Sequence, residues 1–174
     1  MRRRFVTRRV RSTRTVAAFA LFVALVGWVP SAMAQSISDV EARNKAIVQD
    51  RFDAWKNGTG SPFELLAEDA SWTIVGSSVV AKTYGDRDSF LSEVIRPFNA
   101  RMREQLRPST YEVLADGDRV VILFNAHAIA RDGEPYTNTY TWFFRLRDGK
   151  VVDAIAFFDS IAFNDMWERV DPAL

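Results

Sequence analysis

Three polar residues in the C-terminal half of the chain could do chemistry if they met: the single histidine His127, the amide Asn138 and the carboxylate Asp159. A carboxyl group held away from water has a raised pKa and can take or return a carbon-bound proton. An imidazole beside it can orient it or share its proton, and an amide N–H can polarise a carbonyl oxygen. Two Asp-Gly pairs, Asp132-Gly133 and Asp148-Gly149, would bring them together, because that dipeptide favours tight hairpin turns. Reading both as two-residue turns sets His127 opposite Asn138 and Asn138 opposite Asp159. The rows beside it are then Asn125–Tyr140–Phe157 and Leu123–Trp142–Ile155. Opposed residues share a face of a sheet, so this reading makes one polar row at the end of an aromatic floor. Tyr140, Trp142 and Phe157, with Trp72, Trp55 and the amide of Asn125, would line a pocket for a flat apolar ligand.

Each residue also has a plainer reading. Asp159 stands just before the apolar-periodic stretch 161–170, where it would cap a helix; that role favours the ionised carboxylate. His127 could be a hydrogen-bonded core histidine, Asn125 could satisfy a neighbouring side chain, and the aromatics could simply fill the interior. One histidine and no cysteine fall short of a metal's inner ligands. Gly-rich phosphate loops and Gly-x-Ser-x-Gly elbows are missing from the sequence, so neither metal nor cofactor is expected.

The elements that must position these residues change character along the chain. Val40, Ile47, Val48, Phe52 and Trp55 recur at helical spacing, and Asn57-Gly58 ends the pattern. Pro62 to Leu66 reads as one helical turn and Ser71 to Val75 as a short strand. Asp86 or Asp88 can cap a second helix through Phe90, Leu91, Val94 and Ile95, with Pro97 kinking it. After Pro108 the sequence turns β-rich, with Asp-Gly pairs at 116, 132 and 148. The fold class is therefore α+β: helices packed on a curved four-stranded antiparallel meander, plus one short strand. Thr137, Thr139, Thr141, Phe143 and Arg145 fall on its opposite face.

At 174 residues and 48% hydrophobic, the chain suits one domain with a real core. Its +1 charge conceals an uneven spread. Seven of the 23 Lys and Arg lie in residues 1–34, which hold no acid; the rest has 16 basic against 22 acidic residues, a net −6. A mildly acidic domain is a poor partner for nucleic acid. The first 34 residues read as a signal peptide: an Arg-rich start, an apolar run from Val16 to Val29, and Ala32-Met33-Ala34 as a small-residue cleavage pattern. The apolar run is shorter than the roughly 20 residues that span a bilayer, so no stable membrane anchor is expected after cleavage. The expected product is an exported domain, residues 35–174, in the periplasm or secreted.

Several stretches carry a family likeness: Glu68-Asp69-Ala70-Ser71-Trp72, the run from Gly133 to Trp142, Phe144 to Val151, and Ala156-Phe157-Phe158-Asp159-Ser160. On these the chain resembles the SnoaL-like branch of the NTF2-like superfamily. That resemblance implies a conical α+β barrel with a deep, mostly apolar pocket, commonly dimerised through the outer face of its sheet. The superfamily includes ketosteroid isomerase, polyketide cyclases, limonene epoxide hydrolase and non-enzymatic binders, so fold alone assigns no chemistry. The isomerase base position falls on Ile74, and the epoxide hydrolase positions on Leu123, Asn125 and Ala156, so neither activity is implied. The closer likeness is to SnoaL-like proteins that end in Phe or Tyr, one residue, then Asp, here Phe157-Phe158-Asp159. SnoaL-type cyclases use a pocket aspartate as acid–base catalyst, and Asp159 is the candidate for such a role here. The resulting expectation is an exported, homodimeric protein that holds a small hydrophobic molecule. Cofactor-independent isomerase, cyclase or hydratase chemistry would run through Asp159, His127 and Asn138. A non-catalytic ligand binder and a dimeric interaction module are the competing readings.

Overall fold

Helical periodicity around Val48, Phe52 and Trp55 is realised in α1, Ser31–Asn57, which starts earlier than the apolar spacing requires. The computed structural model describes residues 31–173, so the first 30 residues of the expected signal peptide lie outside the described residues. Among the described residues, no helix is long and apolar enough to cross a membrane. A 3₁₀ turn, Pro62–Leu65, follows. Ser61 Oγ accepts from the Phe63 N–H, and Glu64 accepts the Ser61 N–H at 3.1 Å, a reciprocal cap that fixes the turn's start. Next come β1, Leu66–Ile74, and β2, Thr83–Tyr84.

Asp86, not Asp88, caps α2, Arg87–Phe90, by accepting the Ser89 N–H at 2.7 Å. The helix then widens into a π-turn, Leu91–Ile95, before α3, Arg96–Asn99. Pro97 supplies the reason: it has no N–H to return to Glu93, and its ring crowds that carbonyl. The Arg96 N–H instead reaches back five residues to Leu91 O.

The long strands are β3, Met102–Asp116; β4, Arg119–Ala130; β5, Pro135–Arg147; and β6, Lys150–Phe158. Helix α4, Ser160–Arg169, follows them. They form the expected antiparallel meander. The whole sheet has six strands in the order β2-β1-β6-β5-β4-β3, with β1 parallel to β6 and β2 on the edge. It is curved and unclosed, and β1, at nine residues, is longer than expected.

Register is where the structure departs from the two-turn reading. At the β4–β5 hairpin, Gly133 N donates to Ala130 O and Ala130 N to Glu134 O, so three residues, Arg131 to Gly133, form the loop. Gly133 holds φ +94°, and Asp132 accepts the Glu134 N–H at 3.0 Å, which together stabilise the longer turn. One extra loop residue turns the partner strand over. His127 therefore faces Thr137, Asn125 faces Thr139, and Leu123 faces Thr141, all on the outward side; Asn138 faces Ala126.

The β5–β6 turn is the expected two-residue one, with Asp148 and Gly149 both at positive φ and Arg147 paired with Lys150. A bulge then intervenes between Leu146↔Val151 and Arg145↔Asp153. Val151 and Val152 are consecutively buried there, and every later residue of β6 moves by one. Trp142 consequently faces Ala156, and Tyr140 faces Phe158; Phe157 and Ile155 turn away from the interior. Both neighbours of β5 are thus inverted relative to the simple reading, whereas β5 itself keeps Asn138, Tyr140 and Trp142 inside.

Helix α1 crosses this inner face. Phe124 makes edge contacts with Phe52, Trp55 and Trp142 and stacks on Tyr140 at 4.8 Å, the arrangement ring quadrupoles favour.

Candidate functional site

A cavity of about 560 Å³ opens between the inner face and the helical segments, a size suited to a small organic ligand. Its floor is β-sheet: Trp72 from β1, Tyr140 and Trp142 from β5, and Ala156 from β6. Phe90, Leu91, Val94 and Ile95 form a wall, so the π-turn forced by Pro97 shapes one side. Trp55 and Phe63 close another. The exposed lining residues Gly58, Glu64, Asn99 and Gln105 mark the mouth.

Two polar groups belong to the buried part. Tyr140 lines the cavity, and its hydroxyl lies 2.9 Å from that of Tyr136. Asn138 Nδ2 donates to Tyr136 Oη at 2.9 Å. The same amide is fixed by the backbone of Asp159: Nδ2 donates to Asp159 O at 3.0 Å, and Oδ1 accepts the Asp159 N–H at 3.0 Å. Tyr136 Oη accepts from Asn138 and shares a further hydrogen bond with Tyr140, in which either hydroxyl can be the donor. Burial pushes the Tyr140 phenol well above its ordinary value, with Tyr136 adding to the effect. Burial raises Tyr136 too, against the lowering from its hydrogen bonds to Tyr140 and Asn138. Both stay protonated at neutral pH, so each hydroxyl keeps a proton to donate. The second group is the Trp72 indole, which also lines the cavity and whose Nε1–H is buried without a partner among the described residues. Leaving such a donor unmatched costs about 1–3 kcal/mol.

Charged groups stay at the periphery. Glu64, the carboxylate among the lining residues, is held by Arg51 at 2.9 Å and by the Ser61 N–H. Arg87 leans on its neighbour Asp88 at 3.3 Å. Arg107 Nη1 donates to Trp55 O at 2.9 Å, closing the C-terminal end of α1. No cluster of metal-binding side chains occurs among the described residues.

The residues singled out from sequence divide cleanly. Trp55, Trp72, Tyr140 and Trp142 line the cavity, with Asn138 directly behind it through Tyr136. His127 and Asn125 are exposed on the outer face, and Asn125 bonds to Thr110 and Thr139 there. Phe157 is also outside, 43% exposed, and Phe158 takes the inner position. Asp159 meets Asn138, but through its main chain. Its carboxylate caps α4, accepting the N–H groups of Ile161 at 2.8 Å and Ala162 at 3.4 Å, and the side chain is exposed. Sequence reasoning missed Tyr136, although it sits two and four residues before Asn138 and Tyr140 on the same alternating strand. It also missed Arg107, whose placement depends on bulges that leave no local signal.

A curved six-stranded sheet capped by helices over an apolar cavity defines the NTF2-like class of fold. The SnoaL-like domain model matches residues 40–154, and the chain belongs to that family. Three solved structures share the fold. Bal32a, from a soil-derived mobile gene cassette, is 24% identical, with a TM-score of 0.60 over 73% of this chain and 98% of its own. A polyketide cyclase candidate from Xanthomonas campestris pv. campestris is 20% identical, with a TM-score of 0.59 over 73% and 98%. TerC, co-crystallised with polyporic acid, is 19% identical, with a TM-score of 0.57 over 72% and 98%. No curated protein matches the chain in sequence.

Proposed function

We propose that this domain binds a flat, largely apolar molecule bearing a carbonyl oxygen, which accepts a hydrogen bond from the Tyr140 hydroxyl. The observation that carries this reading is the Asn138–Tyr136–Tyr140 chain at the floor of an aromatic cavity; with Tyr136 donating to Tyr140, the Tyr140 proton is left for the ligand. A donor aimed by its own hydrogen-bond partners needs no reorganisation when a ligand arrives, and it polarises a carbonyl strongly in water-poor surroundings. The structure of TerC with polyporic acid and the cyclase candidate are consistent with a small-molecule site of this kind.

Chemistry of the isomerase or cyclase type would use Tyr140 as its electrophile, stabilising negative charge on the carbonyl oxygen. Proton abstraction also needs a base. Among the described lining residues the carboxylate is Glu64, engaged at the rim by Arg51. The residues present therefore favour binding and polarisation, and Asp159 serves the fold. Export through the N-terminal segment and pairing of two copies belong to the same proposal. Phe143 and Phe157, with ring centroids 5.9 Å apart, stand with Leu123 on the outer face, all more than 40% exposed, and a second copy would cover them. Sedimentation of Phe143→Lys/Phe157→Lys should then show a monomer.

The test of ligand binding uses 2-acetonaphthone. Trp55, Trp72 and Trp142 all line the cavity, so intrinsic fluorescence reports occupancy. Wild type and His127→Ala should bind alike, and Tyr140→Phe should bind about tenfold more weakly, the worth of one buried hydrogen bond. Equal binding by Tyr140→Phe would contradict the proposal.

A further inference from the structure

The cavity's mouth carries a guanidinium that the proposed carbonyl contact does not use. Gln105, Leu106 and Arg107 all line the cavity, although they are consecutive residues of β3. A regular strand would send alternate side chains to opposite faces. Here register shifts between Glu104 and Arg107, and again between Pro108 and Thr110, break the alternation and admit Arg107.

Its head group is built into place. Nη1 donates to Trp55 O, and the guanidinium lies so close to Gly58 that a Cβ there would meet Nη1 and Nη2 at 2.6 Å. Gly58 also has φ +75°, so one glycine ends α1 and leaves room for the arginine. Arg107 forms no ion pair among the described residues, whereas the other charged lining residues, Glu64 and Arg87, each have an opposite charge beside them. One of the five N–H groups is engaged by Trp55, leaving a half-buried fork at the rim of an apolar cavity. A planar fork of this kind fits a carboxylate.

We infer that the natural ligand is an apolar acid, entering ring-first with its carboxylate left at the mouth on Arg107. This rests on the cavity reading above and adds the ligand's charge to it. An uncharged ligand would leave the Arg107 fork without a counter-charge.

The test compares two probes that differ by one group, 6-acetyl-2-naphthoic acid and 2-acetonaphthone, by calorimetry on residues 35–174 and on the full chain. Wild type should bind the acid at least tenfold more tightly than the ketone, as a charge-assisted hydrogen bond implies. In Arg107→Gln the two should bind within about twofold of each other. If Arg107→Gln fails to fold, Arg107→Lys keeps a point charge without the fork, and the acid preference should drop to a few-fold. Equal binding of acid and ketone by wild type would overturn the inference and leave the cavity reading standing. So would an acid preference undiminished in both variants. Binding of neither probe would remove the cavity reading and this inference together.

Discussion

The two faces of β4, β5 and β6 are built from the same three strands, yet they do different things. Inside, Phe124, Tyr140 and Trp142 interlock with α1 and leave a cavity floored by a single oriented phenol. Outside, Asn125 bonds with Thr139 and Thr110 in a solvent-facing ladder, and Phe143 and Phe157 lie half in water. Polar groups on the inner side are few and fixed by one another; those on the outer side are many and water can replace each partner. The lesson is that a histidine or an asparagine on this sheet has chemical weight only if register delivers it to the concave side.

The contrast gives a graded set of expectations. The largest effect should follow Phe124→Ala, which removes a ring that is 1% exposed and should cost about 3–5 kcal/mol in urea unfolding. Phe143→Ala, on the other face of the same sheet, should cost under about 1 kcal/mol in the monomer. Equal losses would erase the distinction. Next comes Asn138→Ala. It leaves the Asp159 N–H, the Asp159 carbonyl and Tyr136 without their amide partner and should cost roughly 1–3 kcal/mol. Asn125→Ala, with exposed partners, should stay within about 0.5 kcal/mol.

Alkali sharpens the same comparison. The Tyr140 pKa is raised by burial above the ordinary 10.0, so the folded protein holds that proton more tightly than the unfolded chain does. Its contribution is fully present below about pH 10 and is lost as pH rises, at up to about 1.4 kcal/mol per pH unit for one group. Tyr140→Phe should therefore flatten the fall in stability measured above about pH 10, whereas His127→Ala on the outer face should leave it unchanged. Asp159 should act through its cap alone. Asp159→Ala should cost about 1 kcal/mol through the lost cap of α4, and Asp159→Asn almost nothing, since asparagine caps as well. Ligand affinity should be the same in both.

Much of this architecture was legible in the sequence, and the limits have physical causes. The helical spacing of α1, the cap before α2, the meander and the inward set on β5 all follow from period and turn chemistry. Strand β5 was readable because Tyr136, Asn138, Tyr140, Trp142 and Phe144 alternate with Thr137, Thr139, Thr141 and Phe143. Its neighbours were not, because each depends on one residue. Asp132-Gly133 serves a three-residue loop as well as a two-residue one, and the Val151–Val152 bulge has no signature in a run of valines. One misplaced residue in the β4–β5 loop moved His127 and Asn125, and one in the β6 bulge moved Phe157, from inside to outside. Asp159 was ambiguous for a different reason: a position between a strand and a helix supports both a site carboxylate and a cap, and the geometry gives the cap.

The central claim, that Tyr140 presents a phenol proton to a carbonyl in this cavity, is tested most directly by infrared difference spectroscopy of bound 2-acetonaphthone. The carbonyl stretch should fall below its value in an apolar solvent when the ketone binds wild type, and return to that value in Tyr140→Phe. An identical stretch in the two proteins would contradict the account.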